Sequence, residues 1–141
     1  MAVDLPLTLL LATVAGLLFP QGGPDMQWSQ ESVGGMIWLV VGGLIVSPFI
    51  ETLMMIPILA LLRRAIPGEP LIAAASALVW AGLHSLLAPA WGLGVVWGFF
   101  VFSMCFIAWR KRSLGNAILM TSTLHLAHNL PSIILLVLFT L

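Results

Sequence analysis

A chain of 141 residues that is 61% hydrophobic, 7% charged and of zero net charge, with a mean hydropathy of +1.15, does not read as a soluble domain, in which roughly a quarter of residues carry charge. The apolar excess points instead to an all-α integral membrane protein, a polytopic bundle of transmembrane helices. The charge balance excludes an electrostatic case for nucleic acid or another polyanion, and Cys105, with no second cysteine to pair with, reads as a small buried hydrophobe.

The first apolar segment, about 5–19 (LPLTLLLATVAGLLF), is short for a span. No Lys or Arg precedes it and Asp4 is its only charge, unlike a secretory signal, so it reads as a retained membrane helix. The polar turn FPQGGPDMQWSQES follows. The second segment, about 33–62, exceeds the roughly 20 residues a span needs. Pro48 and Pro57 are expected to kink or unwind it, because proline removes a backbone donor. The third segment runs about 70–88, the fourth 91–109 and the fifth 114–140. No repeat, linker or low-complexity tract divides the chain. The expectation is a single membrane domain over 1–141 with about five transmembrane helices.

The basic residues fall in two clusters, Arg63–Arg64 after the second segment and Arg110–Lys111–Arg112 after the fourth. Five spans place both clusters on one side, which the positive-inside rule assigns to the cytoplasm. The N-terminus then faces the cytoplasm, the C-terminus faces outward, and Asp25 and Glu31 occupy an outer loop. Gly34, Gly35, Gly42, Gly43, the Gly94/Gly98 pair and the AAAS run at 73–76 are small residues that let helices approach closely in lipid. Trp28, Trp91 and Trp109 lie near segment ends, as interfacial anchors do.

Against this background a few polar groups stand inside spans: Glu51, His84, His125, His128 and Asn129. An acid at the centre of a span costs about 2.5–3.5 kcal/mol on insertion scales, and such residues usually face the bundle interior and act there. Counted from the basic end, Glu51 lies about 12 residues from Arg63, His84 about 14 from Pro70 and His125 about 12 from Ser113, which is roughly 18–21 Å at the helical rise. Three helices thus present ionisable groups at one depth. His125 and Asn129 share a helix face by their spacing of four, as do Trp80 and His84, whose indole is placed to wall the site. His128 is rotated away from His125 and takes a supporting place. Interhelical hydrogen bonds that merely hold a bundle are the structural alternative.

These residues resemble the motifs of the CAAX-protease and bacteriocin-processing family of intramembrane endopeptidases, also called CPBP or Abi. That family carries Pro-x-x-Glu-Glu-x-x-x-Arg, then Phe-x-x-x-His, then His-x-x-x-Asn. Here the first motif is SPFIETLMMI, with Pro48 and Glu51 in place, Thr52 for the second Glu and Ile56 for the Arg. The second is WAGLH, with Trp80 for the Phe and His84 in place; the third is HLAHN, with His125 and Asn129. The likeness covers about residues 35–139 and marks a divergent branch. It implies peptide-bond hydrolysis within a bacterial-type cell membrane, acting on a membrane-embedded or membrane-proximal peptide. Glu51, helped by His84, would activate water, while His125 and Asn129 donate hydrogen bonds to the oxyanion, with Trp80, Thr52 and His128 in support.

Other readings of the same residues stay open at this point. Glu51, His84 and His125 are also a reasonable donor set for a divalent metal such as zinc with an open fourth position, although the sequence lacks HExxH. A non-catalytic scaffold or partner-binding protein on the same fold is favoured by Thr52 and Ile56. A proton relay and a bis-His haem site between His84 and His125 or His128 are further alternatives. A homo-oligomer is one way for so few spans to enclose a cavity.

Overall fold

The structure, a computed structural model, describes residues 4–23 and 32–140, with side chains from Leu5 as far as Leu138. Asp25, Trp28 and Glu31, assigned above to the outer loop and its interface, lie outside the described residues. Helices account for the architecture: α1 spans Asp4–Leu18, α2 Val33–Leu62, α3 Glu69–Leu87, α4 Trp91–Arg110 and α5 Leu114–Thr140. No strand occurs among the described residues.

Four of these, α2 to α5, are long and apolar enough to cross a membrane; α1 is a shorter apolar helix. The expectation of about five spans is corrected here for a simple reason. The 15 residues of α1 reach about 22 Å at the helical rise, short of a hydrocarbon core of about 30 Å. The other segment boundaries agree with the hydropathy reading to within a residue or so.

Local chemistry sets the helix ends. Ser32 caps α2, its hydroxyl accepting from the Gly35 N–H at 3.0 Å, and Ser113 caps α5 in the same way through Asn116 at 3.0 Å. A serine in this place satisfies a donor that the first turn leaves orphaned. The α2–α3 turn closes on Gly68, whose φ of +85° lies in the region that favours glycine, and Pro70 opens α3 where its missing N–H costs nothing.

The irregularity expected in α2 is real but displaced. The helix winds as α over Val33–Val41, widens into a π turn over Gly42–Val46 and resumes as α over Ser47–Leu62. The distortion thus precedes Pro48, because the donor that proline lacks belongs to the turn before it. Pro57 lies inside a helix that continues through it to Leu62.

α4 is the central helix, packed against α3, α5 and α1. Phe99, Phe102, Phe106 and Ile107 of α4 meet Ala73, Ala77 and Trp80 of α3 and Met55 and Leu59 of α2 in one apolar core. Ser103 donates to Ser76 at 3.0 Å across the α3–α4 seam, with both side chains fully buried. The Gly94/Gly98 pair serves two neighbours at once: Gly94 lies against Ala12 of α1 and Gly98 against the His128 ring of α5. Outward faces carry Leu, Ile, Val and Phe side chains such as Ile37, Ile45, Phe49, Ile50 and Leu138, as a lipid-facing surface does.

Both basic clusters sit at one end of the bundle. Lys111, just beyond α4, pairs with Glu69 at the start of α3, with Nζ 2.9 Å from the carboxylate, and Arg112 lies 4.7 Å over the Trp109 ring. At the opposite end the Ala90 N–H donates to the Gly22 carbonyl at 2.9 Å, so α1 runs antiparallel to α4.

Candidate active site

Glu51 of α2 stands between two imidazoles. Its Oε1 is 3.9 Å from His84 Nε2 of α3 and its Oε2 is 3.4 Å from His125 Nε2 of α5. The shared depth read from the sequence is therefore a meeting point. Ser47, one turn before Glu51, donates its hydroxyl to Oε1 at 2.7 Å. In the sequence, the one signal for Ser47 is its position four residues ahead of Glu51 on the same helix face.

The two histidines are held differently. His84 Nδ1 is 2.9 Å from the Trp80 carbonyl. A carbonyl only accepts, so Nδ1 carries the proton and a neutral ring leaves Nε2 as an acceptor facing the cavity. His84 also lies edge-on to Trp91, with centroids 4.9 Å apart. His125 is clamped by packing: its ring stacks on Phe102 at 4.1 Å and meets Phe99 edge-on at 5.5 Å. Its Nδ1 is buried without a hydrogen-bond partner. The tautomer with its proton on Nε2 leaves Nδ1 as an orphaned acceptor, the smaller penalty of the two, and keeps an N–H facing the cavity 3.4 Å from Glu51 Oε2.

A cavity of about 400 Å³ opens onto this cluster, lined by Glu51, His84, His125, His128 and Asn129 together with residues of every helix, including Thr8 and Ala12 of α1 and Trp38 of α2. One chain thus lines the hollow with residues of all five helices. The share of α1 was not legible, because contacts across a bundle leave no local pattern. Asn129 Nδ2 donates to the Gly43 carbonyl of the π turn at 3.0 Å. His128 lines the cavity beside Gly98 and stands edge-on to Phe102 at 5.2 Å.

Two supporting residues sit elsewhere than expected. Trp80 does not wall the cavity; it stacks on Phe99 at 4.6 Å behind it and serves His84 through its backbone carbonyl. Thr52 is fully buried away from the cavity, its hydroxyl donated to the Pro48 carbonyl at 2.7 Å.

The donor set of Glu51, His84 and His125 does not match a zinc site. Each imidazole faces a different oxygen of one carboxylate, so the acid separates them, and no group of three His, Cys, Asp or Glu among the described residues is arranged to hold a metal ion. The residues as placed do not fit the metal. A haem between His84 and His125 would have to displace Glu51. Comparison of the chain with protein-family models, with curated proteins and with solved structures returned no match, so the motif resemblance rests on the residues themselves.

Proposed function

We propose that this protein is an intramembrane endopeptidase of the CAAX-protease and bacteriocin-processing type, hydrolysing a peptide bond with water activated by Glu51 and His84. The observation that carries the reading is the carboxylate of Glu51 set between two imidazoles inside a cavity among apolar helices. The 3.9 Å between Glu51 Oε1 and His84 Nε2 is too long for a direct hydrogen bond. A water about 2.8 Å from both atoms would give one hydrogen to each.

In the reaction the water oxygen attacks the scissile carbonyl carbon while Glu51 takes its proton. His125 Nε2–H and the second hydrogen of the Asn129 amide are donors for the oxyanion that forms. Collapse breaks the C–N bond, and the proton held by Glu51 passes to the departing amine. The substrate class is a membrane-embedded or membrane-proximal peptide. The basic turns face the cytoplasm of a bacterial-type cell by the positive-inside rule; the N-terminal end of α1 points toward that side and α5 ends on the other.

The test compares wild type with Glu51→Gln in proteoliposomes on a library of membrane-spanning peptides. Cleavage by wild type alone is expected; equal cleavage by both removes Glu51 from the chemistry.

A non-catalytic, partner-binding protein on the same fold is the second reading. It is favoured by the burial of Thr52 and by Ile56 packed against the apolar core, which leave the family's second acid and its arginine without counterparts. A partner that co-purifies equally with wild type and Glu51→Gln, in the absence of cleavage, would select it.

A further inference from the structure

The hydrogen bonds give Asn129 a task apart from the oxyanion. In the π turn of α2 the Ser47 N–H goes to the Gly42 carbonyl. The Gly43 carbonyl comes next, and its partner in that wider register is the N–H five positions on. That residue is Pro48, which has no N–H. A carbonyl left unpaired inside a bilayer is costly, so another group must serve it. Asn129 does, from α5, at 3.0 Å; because the partner is a carbonyl, the amide must present its nitrogen.

The consequence lies one and two turns further along. Gly43, Ser47 and Glu51 line the cavity together, while Phe49 and Ile50 between them face outward, 48% and 49% exposed. Return of the widened turn to α register would rotate everything after it by up to about 100°, the turn of one residue. Such a rotation would carry Glu51 off the cavity and away from both imidazoles.

We propose that Asn129 is a positioning residue: by capping the carbonyl that Pro48 cannot serve, it locks the widened turn of α2 and keeps Ser47 and Glu51 aimed at His84 and His125. Where it concerns catalysis the inference rests on the peptidase reading above. Where it concerns the aim of Glu51 it stands on the hydrogen bonds alone.

The test uses the full chain in proteoliposomes with Cys105→Ser, single cysteines at 47, 50, 51 and 54, and a cationic, water-soluble thiosulfonate. Positions 47 and 51 react, and 50 and 54 do not. Asn129→Leu slows labelling at 47 and 51 about tenfold, the factor by which one unpaired buried acceptor shifts an equilibrium between registers. As the register returns to α, residue 50 turns into the place that 51 leaves, so labelling appears at 50 as it fades at 51. Unfolding, or packing lost around residue 129, would instead expose 47, 50, 51 and 54 alike. Unchanged labelling in Asn129→Leu, no gain at 50, or silence at 47 and 51 with Asn129 intact each overturns the proposal. None of these readouts needs cleavage, so the expected labelling in a protein without peptidase activity would remove the functional reading and leave this one standing.

Discussion

His125 Nε2 lies 3.4 Å from Glu51 Oε2, an imidazole from the last helix set against an acid from the second. The contact joins residues far apart in sequence and sets the two oxygens of Glu51 in different surroundings. Oε2 faces His125, whereas Oε1, with the Ser47 hydroxyl at 2.7 Å and His84 across a 3.9 Å gap, is the oxygen beside the place for a water.

Glu51→Gln keeps this shape and removes the proton acceptor. Cleavage of a membrane peptide is expected to fall by about 10²–10⁴-fold, the usual worth of a positioned general base. The unfolding midpoint in detergent should hold or rise, since a buried charge is lost without leaving a cavity. Undiminished turnover would show that the acid is structural.

His84→Ala should fail as Glu51→Gln does, and the double variant should be little worse than either single one. Residues that act on one water act as a unit, and their losses do not add. Rates for the four proteins of this cycle, measured on one peptide, decide the matter. Multiplying losses would mean that the two groups serve separate steps.

Much of this arrangement was legible in the residues. Hydropathy located α2 to α5, and counting from the basic turns put Glu51, His84 and His125 at one depth, where the structure joins them. The rest was hidden for identifiable reasons. Segment 5–19 is apolar enough to suggest a span, yet only length separates a span from a helix that lines a cavity, and α1 with Thr8 and Ala12 is of the second kind. Pro48 signalled a break in α2, but where the break fell depended on which donor reached the stranded carbonyl, and Asn129 lies on another helix. Trp80 sits one turn from His84, and that spacing alone did not tell whether its ring or its backbone would serve the site.

Gly92→Ala should separate α3 from α4. A Cβ at residue 92 would overlap the Ser85 hydroxyl and the Ala81 carbonyl, and a backbone carbonyl in a helix has nowhere to move. Overpacking of this kind costs typically about 1–3 kcal/mol. Because Trp91 next to it lies against His84, cleavage and stability should fall together. Chemical unfolding in bicelles reads the stability, and a neutral result would place the hairpin further apart than described.

Ser103→Ala removes the buried bond to Ser76, far enough from Glu51 to leave the cavity intact. Interhelical hydrogen bonds in membranes average only about 0.6 kcal/mol, so a loss of that order is expected with cleavage unchanged. The same loss in Ser76→Ala and in the double variant would assign it to the bond rather than to either hydroxyl. A loss several times larger would mean that the hydroxyl left behind is stranded.

Thr52 occupies the place where the resembling family carries a second acid, so Thr52→Glu has the form of a restoration. The packing argues for the opposite outcome. Thr52 is fully buried, lies off the cavity lining and spends its hydroxyl on the Pro48 carbonyl. The Arg and Lys side chains are confined to the turns at the basic end, so a carboxylate here would lose its hydration with no cation to replace it. The effective penalty for such an ion is several kcal/mol, and Thr52→Glu is expected to lower the folded yield and the unfolding midpoint sharply with no gain in cleavage. Thr52→Val keeps the volume and removes only a bond to a carbonyl already within a helix, so it should cost about 1 kcal/mol or less. The pair separates burial from chemistry: a Thr52→Glu protein as stable as wild type and faster on a peptide would put residue 52 at the water and make the reaction the work of two acids.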